Sequence, residues 1–292
     1  MALRIVPLHN SPRMRKRKEE RFSPWVSALG EMGGGQVSIG PISPLNIPSV
    51  RVSVAPEGLA ALPDIDRIAT CVNEVAPGTN DFLQPTAGIQ PLCKTGILNG
   101  FRIARFDGVD DRISSQYGPK DDLADGFTFA AVFRTTTTAT RQLILWTGDA
   151  NSPGFPASGF NTATFSITND GVADLVGNLM HNTTGPNTVS SYMSLTDTAN
   201  FHIGICKFSG YGTNPGNKTV KMFLDGAFGT ADIESFSEDY TQYVALTRMC
   251  TPGSLAANFF NGDIAAAAIF ATALTDSQIQ SLYLFWKAKF AL

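Results

Sequence analysis

The chain has 292 residues, 43% of them hydrophobic, which supplies material for a substantial core and excludes an intrinsically disordered protein. Only 16% are charged, beside 27 glycines and 17 prolines, a turn-rich balance that suits a β protein and falls short of collagen-like or low-complexity composition. No apolar run is long enough to cross a bilayer, and the basic first twenty residues are followed by no apolar block, so the sequence reads as lacking a membrane span and a secretory signal.

The net charge of −3 hides an asymmetry. Residues 1–21 carry Arg4, Arg13, Arg15, Lys16, Arg17, Lys18 and Arg21 against Glu19 and Glu20, while the remainder holds 15 basic and 23 acidic residues. A basic head on an acidic body suits a solvated or partner-bound arm and argues against nucleic acid as the ligand of the whole protein. Residues 1–50 contain six prolines and the run Gly33-Gly34-Gly35 with almost no strand alternation, which predicts an extended arm. Within it, Ser23-Pro24-Trp25 followed by Val26, Ala28, Leu29 and Gly30 has the N-cap, first-turn proline and glycine stop of one short helix. Trp25 on that helix either anchors into a partner or packs on its own body, and Arg15, Lys16, Arg17 and Lys18 are the charged assembly candidates.

From residue 51 onward the pattern is β. Phe127, Phe129, Ala131 and Phe133 alternate with Thr128, Ala130, Val132 and Arg134, so one face of that strand is aromatic and needs a second layer over it. Further strands are expected at Gln142–Thr147, Thr162–Thr168, Phe201–Lys207, Lys218–Asp225, Tyr243–Met249 and Gly262–Phe270, with no helical period between them. Many antiparallel strands without crossover helices predict a two-sheet sandwich. At the end, Thr275 and Gln278 form a capping box before Ile279, Leu282, Tyr283, Trp286 and Phe290, which predicts an amphipathic helix over 275–290 packed on the sandwich.

Three segments in order carry a family resemblance. Arg102-Ile103-Ala104-Arg105-Phe106-Asp107-Gly108-Val109-Asp110-Asp111-Arg112-Ile113 resembles the FDGxDDxI strand-turn-strand of laminin G-like jelly rolls in the concanavalin A-like lectin/glucanase superfamily. Phe201-His202-Ile203 with Val220 to Gly226, and Phe259-Phe260-Asn261-Gly262-Asp263-Ile264 with Leu274 to Ile279, resemble its central hairpin and its closing strand and helix. The resemblance implies an all-β, two-sheet antiparallel jelly roll and leaves function open, because such folds serve glycan-binding, enzymatic and structural roles.

The superfamily's glucanases carry E-x-D-x-x-E on a strand; no such string occurs, and Asp232-Ile233-Glu234 lacks the downstream acid and is expected to lie between strands, so the chain is expected not to be an enzyme. Cys71, Cys93, Cys206 and Cys250 are too dispersed for a Cys-x-x-Cys zinc site and are expected to be buried thiols. Six aspartates fall within residues 107–125, and Asp110 and Asp111 are the calcium candidates; no other cofactor is expected. His202, in an apolar strand, reads as structural. Loop-like segments Asn151–Asn161 with Phe155 and Phe160, His181–Asp197 with Tyr192, and Ser209–Asn217 with Tyr211 are candidates for glycan binding or contacts to neighbouring subunits.

A sandwich without catalytic strings joined to a basic arm resembles tail, fibre or head-decoration proteins of tailed bacteriophages. The resemblance implies a virion structural protein, assembled in the host cytoplasm as a homo-oligomer with other virion proteins. In that reading the arm docks on the particle and the sandwich is displayed for a host glycan. The alternatives are a free carbohydrate-binding lectin and, behind it, a glycoside hydrolase.

Overall fold

A computed structural model describes residues 40–55, 59, 62–118, 126–148, 162–169, 173–181, 187–210, 216–236, 246–250 and 258–292. Trp25, Arg15, Lys16, Arg17 and Lys18, and the glycan-loop candidates Phe155, Phe160 and Tyr211, lie outside the described residues.

The strands in chain order are β1 (Val50–Val54), β2 (Thr70–Cys71), β3 (Phe82–Leu83), β4 (Leu92–Leu98), β5 (Phe101–Asp107), β6 (Ile113–Ser115), β7 (Gly126–Thr135), β8 (Gln142–Gly148) and β9 (Thr162–Asn169). They continue with β10 (Ala173–His181), β11 (Asn187–Ser194), β12 (His202–Ser209), β13 (Gly216–Leu224), β14 (Ala227–Phe228), β15 (Asp232–Phe236), β16 (Leu246–Met249) and β17 (Asn261–Phe270), and helix α1 (Asp276–Phe290) closes the chain. One sheet is ordered β14-β13-β12-β7-β17-β5-β4, with β1 added on β17 and β15 on β13; the other is ordered β11-β10-β9-β8-β16-β6-β3-β2. The strand pairings are antiparallel. This is the expected two-sheet sandwich, and among the described residues no helix is long and apolar enough to cross a membrane.

Period-2 alternation explains the layers. Phe127, Phe129 and Phe133 of β7 point between the sheets and meet Phe208, Phe165 and Ile167. Ala130 and Val132 point the other way, where Ile279, Leu282, Tyr283, Trp286 and Phe290 of α1 cover them. The first sheet is therefore buried on both faces, which is why β7 and β17 read as nearly continuous apolar runs. The capping box forms as the sequence requires: the Thr275 hydroxyl accepts the Gln278 N–H, and the Gln278 side chain accepts the Thr275 N–H.

Packed chain begins earlier than the body boundary at residue 51. Ile47 is buried beside α1, the Ile42 N–H donates to the Ser281 carbonyl, and Val50 pairs with Phe270. Two loop expectations are also corrected. Tyr192 sits on strand β11 rather than in a loop, because Asn187–Ser194 finds a full ladder against β10. Asp232-Ile233-Glu234 opens β15, paired with β13, rather than lying between strands. The four cysteines are free and buried, as expected, and burial pushes the Cys71 thiol up to about 12.

Candidate functional site

The two outer faces of the sandwich differ in kind. The helix seals the first. On the second sheet, the register places Trp146, Thr164 and Arg248 in one cross-strand row, and Ser166, Val176 and Tyr192 in another, all facing away from the core residues Phe165, Ile167 and Leu175. Trp146, Thr164, Ser166 and Val176 are themselves buried, and Tyr192 is the exposed member of its row. The Arg248 guanidinium stands 5.7 Å from the Trp146 ring centroid, and burial together with the charge of Arg112 lowers its pKa.

At the β11 corner this face ends in an open depression of about 460 Å³ lined by Ser190, Ser191, Tyr192, Thr230, Ala231 and Asp232. Tyr192, on the edge strand β11, is 52% exposed. The walls are fixed by hydrogen bonds. The Ser190 N–H donates to Asp232 Oδ2 at 2.9 Å, and the Ile233 N–H donates to Asp232 Oδ1 at 3.0 Å. Ser191 Oγ donates to the Thr230 carbonyl at 2.7 Å and accepts the Met222 N–H at 3.1 Å. These bonds stitch the edge of one sheet to the edge of the other and hold the strand that carries Tyr192. Gly229 belongs to the same device: a Cβ there would stand 2.6 Å from Met193 Sδ and 3.1 Å from the Tyr192 carbonyl.

The calcium candidates come together with a third residue. Asp107, Asp110 and Asp111 have carboxylate oxygens within 4.8 Å of one another. Asp107 Oδ1, however, accepts the N–H groups of Val109, Asp110 and Asp111, and Asp111 Oδ2 accepts the Asp107 N–H at 3.0 Å. Gly108, at φ +77°, supplies the left-handed position, and Asp107 itself ends β5. Asp111 is 4% exposed, and burial, with the charges of Asp107 and Asp110, raises its pKa to about 6. Calcium takes six to eight oxygens; the three carboxylates offer part of such a set and also close the turn on itself through these hydrogen bonds.

His202 is likewise committed to the fold. Its Nδ1 lies 2.7 Å from Asp225 Oδ2 and its Nε2 lies 3.0 Å from the Asp197 carbonyl. Asp225 Oδ1 accepts the Ile203 N–H, and Asp225 and Gly226 make the turn from β13 to β14 with φ of +49° and +101°.

One charged constellation was not anticipated from the sequence. Asp263 on β17 is fully buried between Arg105 on β5 and Arg134 on β7. Arg105 Nε and Nη2 donate to its two oxygens at 2.7 and 3.1 Å, and Arg134 Nε and Nη2 donate to Oδ2 at 3.1 and 2.5 Å. The available signal was a charge on the outward parity of each of three otherwise apolar strands.

These features define a two-sheet antiparallel β-sandwich whose first sheet is covered by α1. No protein-family model matches the sequence, and no curated protein matches it. Among solved structures, domain 4 of AbnA, a GH43 extracellular arabinanase from Geobacillus stearothermophilus in complex with arabinotriose, is similar over 80% of this chain and 98% of that one, with a TM-score of 0.50 and 14% identity. Trypanosoma rangeli sialidase in complex with 2,3-difluoro-KDN is similar over 85% of this chain, which spans 36% of that protein, with a TM-score of 0.50 and 9% identity. The CBM40 of Ruminococcus gnavus IT-sialidase bound to α2,3-sialyllactose gives a TM-score of 0.42 over 56% of this chain and 84% of that one, at 14% identity. At these identities the likeness establishes the fold. None of the three is a virion protein.

Proposed function

We propose that the sandwich is a non-catalytic carbohydrate-binding module that takes a neutral glycan in the Tyr192 depression. The observation that carries this is the half-exposed Tyr192 ring on strand β11, beside the Ser190 and Thr230 hydroxyls and the Asp232 carboxylate. A sugar ring presents an apolar face to an aromatic and hydroxyls to its rim, and this arrangement offers both at once. Asp232 accepts hydrogen bonds, and no basic side chain lines the depression among the described residues, so the site favours hydroxyl donors over acidic sugars. A neighbour of the same fold is seen with arabinotriose, itself a neutral oligosaccharide.

The test is an array of neutral and acidic oligosaccharides, arabinose and hexose oligomers included, probed with the full chain and with Tyr192→Ala. Binding to neutral members that is lost in the variant is expected. An array with no neutral binder, or neutral-glycan binding that survives Tyr192→Ala, contradicts the proposal.

Attachment to a phage particle is a separate proposal that rests on the basic, Pro-rich arm. Light scattering of the full chain beside residues 40–292 reads it: an assembled full chain and a monomeric truncation support an assembly arm, and two monomers contradict it.

A further inference from the structure

We infer a second binding site, on the other face of the molecule, for the carboxylate of an acidic sugar. A depression of about 370 Å³ lies where β7, the loop before β12 and the end of α1 meet, lined by Ile97, Leu98, Arg134, Asn200, Phe201 and Leu292 among others. Arg134 is the only cation among the residues lining it.

The guanidinium is held in place from two sides. Nε and Nη2 are tied to the buried Asp263, and the plane stands 5.0 Å from the Phe201 ring centroid. Two arginines share that single carboxylate, so one positive charge is left over at the surface, with 24% of the Arg134 side chain exposed. Nη1 makes no hydrogen bond among the described residues. A planar fork already fixed in orientation, with donors to spare and apolar walls at Ile97 and Leu98, is the arrangement that captures a carboxylate with little ordering cost.

The rim is rigid as well. Asp197 Oδ1 accepts the N–H groups of Ala199 and Asn200, Asp197 Oδ2 accepts from the Asn200 amide at 2.7 Å, and the Asp197 carbonyl is held by His202. Opposite, the Leu292 N–H donates to the Lys287 carbonyl, which fixes the chain end that lines the depression. The depression is larger than a carboxylate alone requires, and Asn200 offers an exposed amide for a ring hydroxyl. That selects a uronic acid over a simple acid.

The test is a titration of the full chain with glucuronate, glucose and acetate, followed by amide chemical shifts and repeated with Arg134→Lys and Tyr192→Ala. Glucuronate is expected to move the amides of Leu98, Asn200 and Leu292, with glucose and acetate at least about tenfold weaker. Arg134→Lys keeps the charge opposite Asp263 but loses the fork, and is expected to weaken glucuronate at least about tenfold. Tyr192→Ala is expected to leave it unchanged, so this site and the neutral-glycan site fail independently. Equal binding of acetate or glucose, shifts elsewhere, or an unaltered Arg134→Lys variant would overturn the inference.

Discussion

His202 Nδ1 and Asp225 Oδ2 are 2.7 Å apart, and through that contact one side chain joins the start of β12 to the turn that ends β13. Burial opposes a charge on the imidazole. The hydrogen bond and charge of Asp225, with the Asp197 carbonyl and carboxylate, outweigh it, so the His202 pKa lies above its ordinary 6.5. A raised pKa means that the folded state binds the proton more tightly than the unfolded chain does. The contribution is complete below about pH 6.5 and fades as pH rises through the folded value. Melting curves of the wild type and His202→Gln from pH 5 to 8.5 should differ most at the acid end and converge upward; a gap that widens with pH contradicts this.

Asp111 carries the same sign for a different reason. Its pKa of about 6 reflects a carboxyl that prefers to be neutral, so the stability it confers is full below about 3.8 and is lost as pH rises through about 6. Asp111→Asn removes the charge and keeps an acceptor for the Asp107 N–H. The variant should melt above the wild type at pH 7.5, in chelator and in millimolar calcium alike, and lose that advantage below pH 4. A calcium-dependent rise in the wild type that Asp111→Asn abolishes would contradict this and support a metal site.

Removing Asp263 leaves Arg105 and Arg134 facing each other across β17. Asp263→Ala should cost about 2 kcal/mol, below the range for fully buried pairs because both guanidiniums keep part of their surface in water. Added salt should recover part of the loss, and urea unfolding in low and high salt measures both quantities.

Trp286 is 2% exposed in the cluster that seals the first sheet against α1. Trp286→Ala should destabilise the fold by about 3–5 kcal/mol. An unchanged melting curve would show that the helix stripe faces a partner instead.

Fold was more legible than site, for a physical reason. Alternation in Phe127–Phe133, the capping box at Thr275 and Gln278, and the Asp225-Gly226 turn are local patterns, and each appears where the sequence placed it. Tyr192 is a candidate binding residue on the sequence, and polar Ser190, Ser191 and Ser194 around it mask the strand signal; the ladder to β10 supplies what propensity withholds. The Asp263 constellation joins residues 105, 134 and 263, and no local pattern announces a pairing of that span. Asp110 and Asp111 drew attention by density of charge alone. Hydrogen bonds that close the turn on itself are visible only in three dimensions.

The most direct measurement of the central claim is calorimetry of the tightest neutral oligosaccharide from the array against the wild type, Tyr192→Phe and Tyr192→Ala. If the ring is the platform, Phe retains affinity within about threefold while Ala loses at least about tenfold, or 1.4 kcal/mol. Equal affinity for the wild type and Tyr192→Ala, with both proteins folded, would contradict a glycan site in this depression.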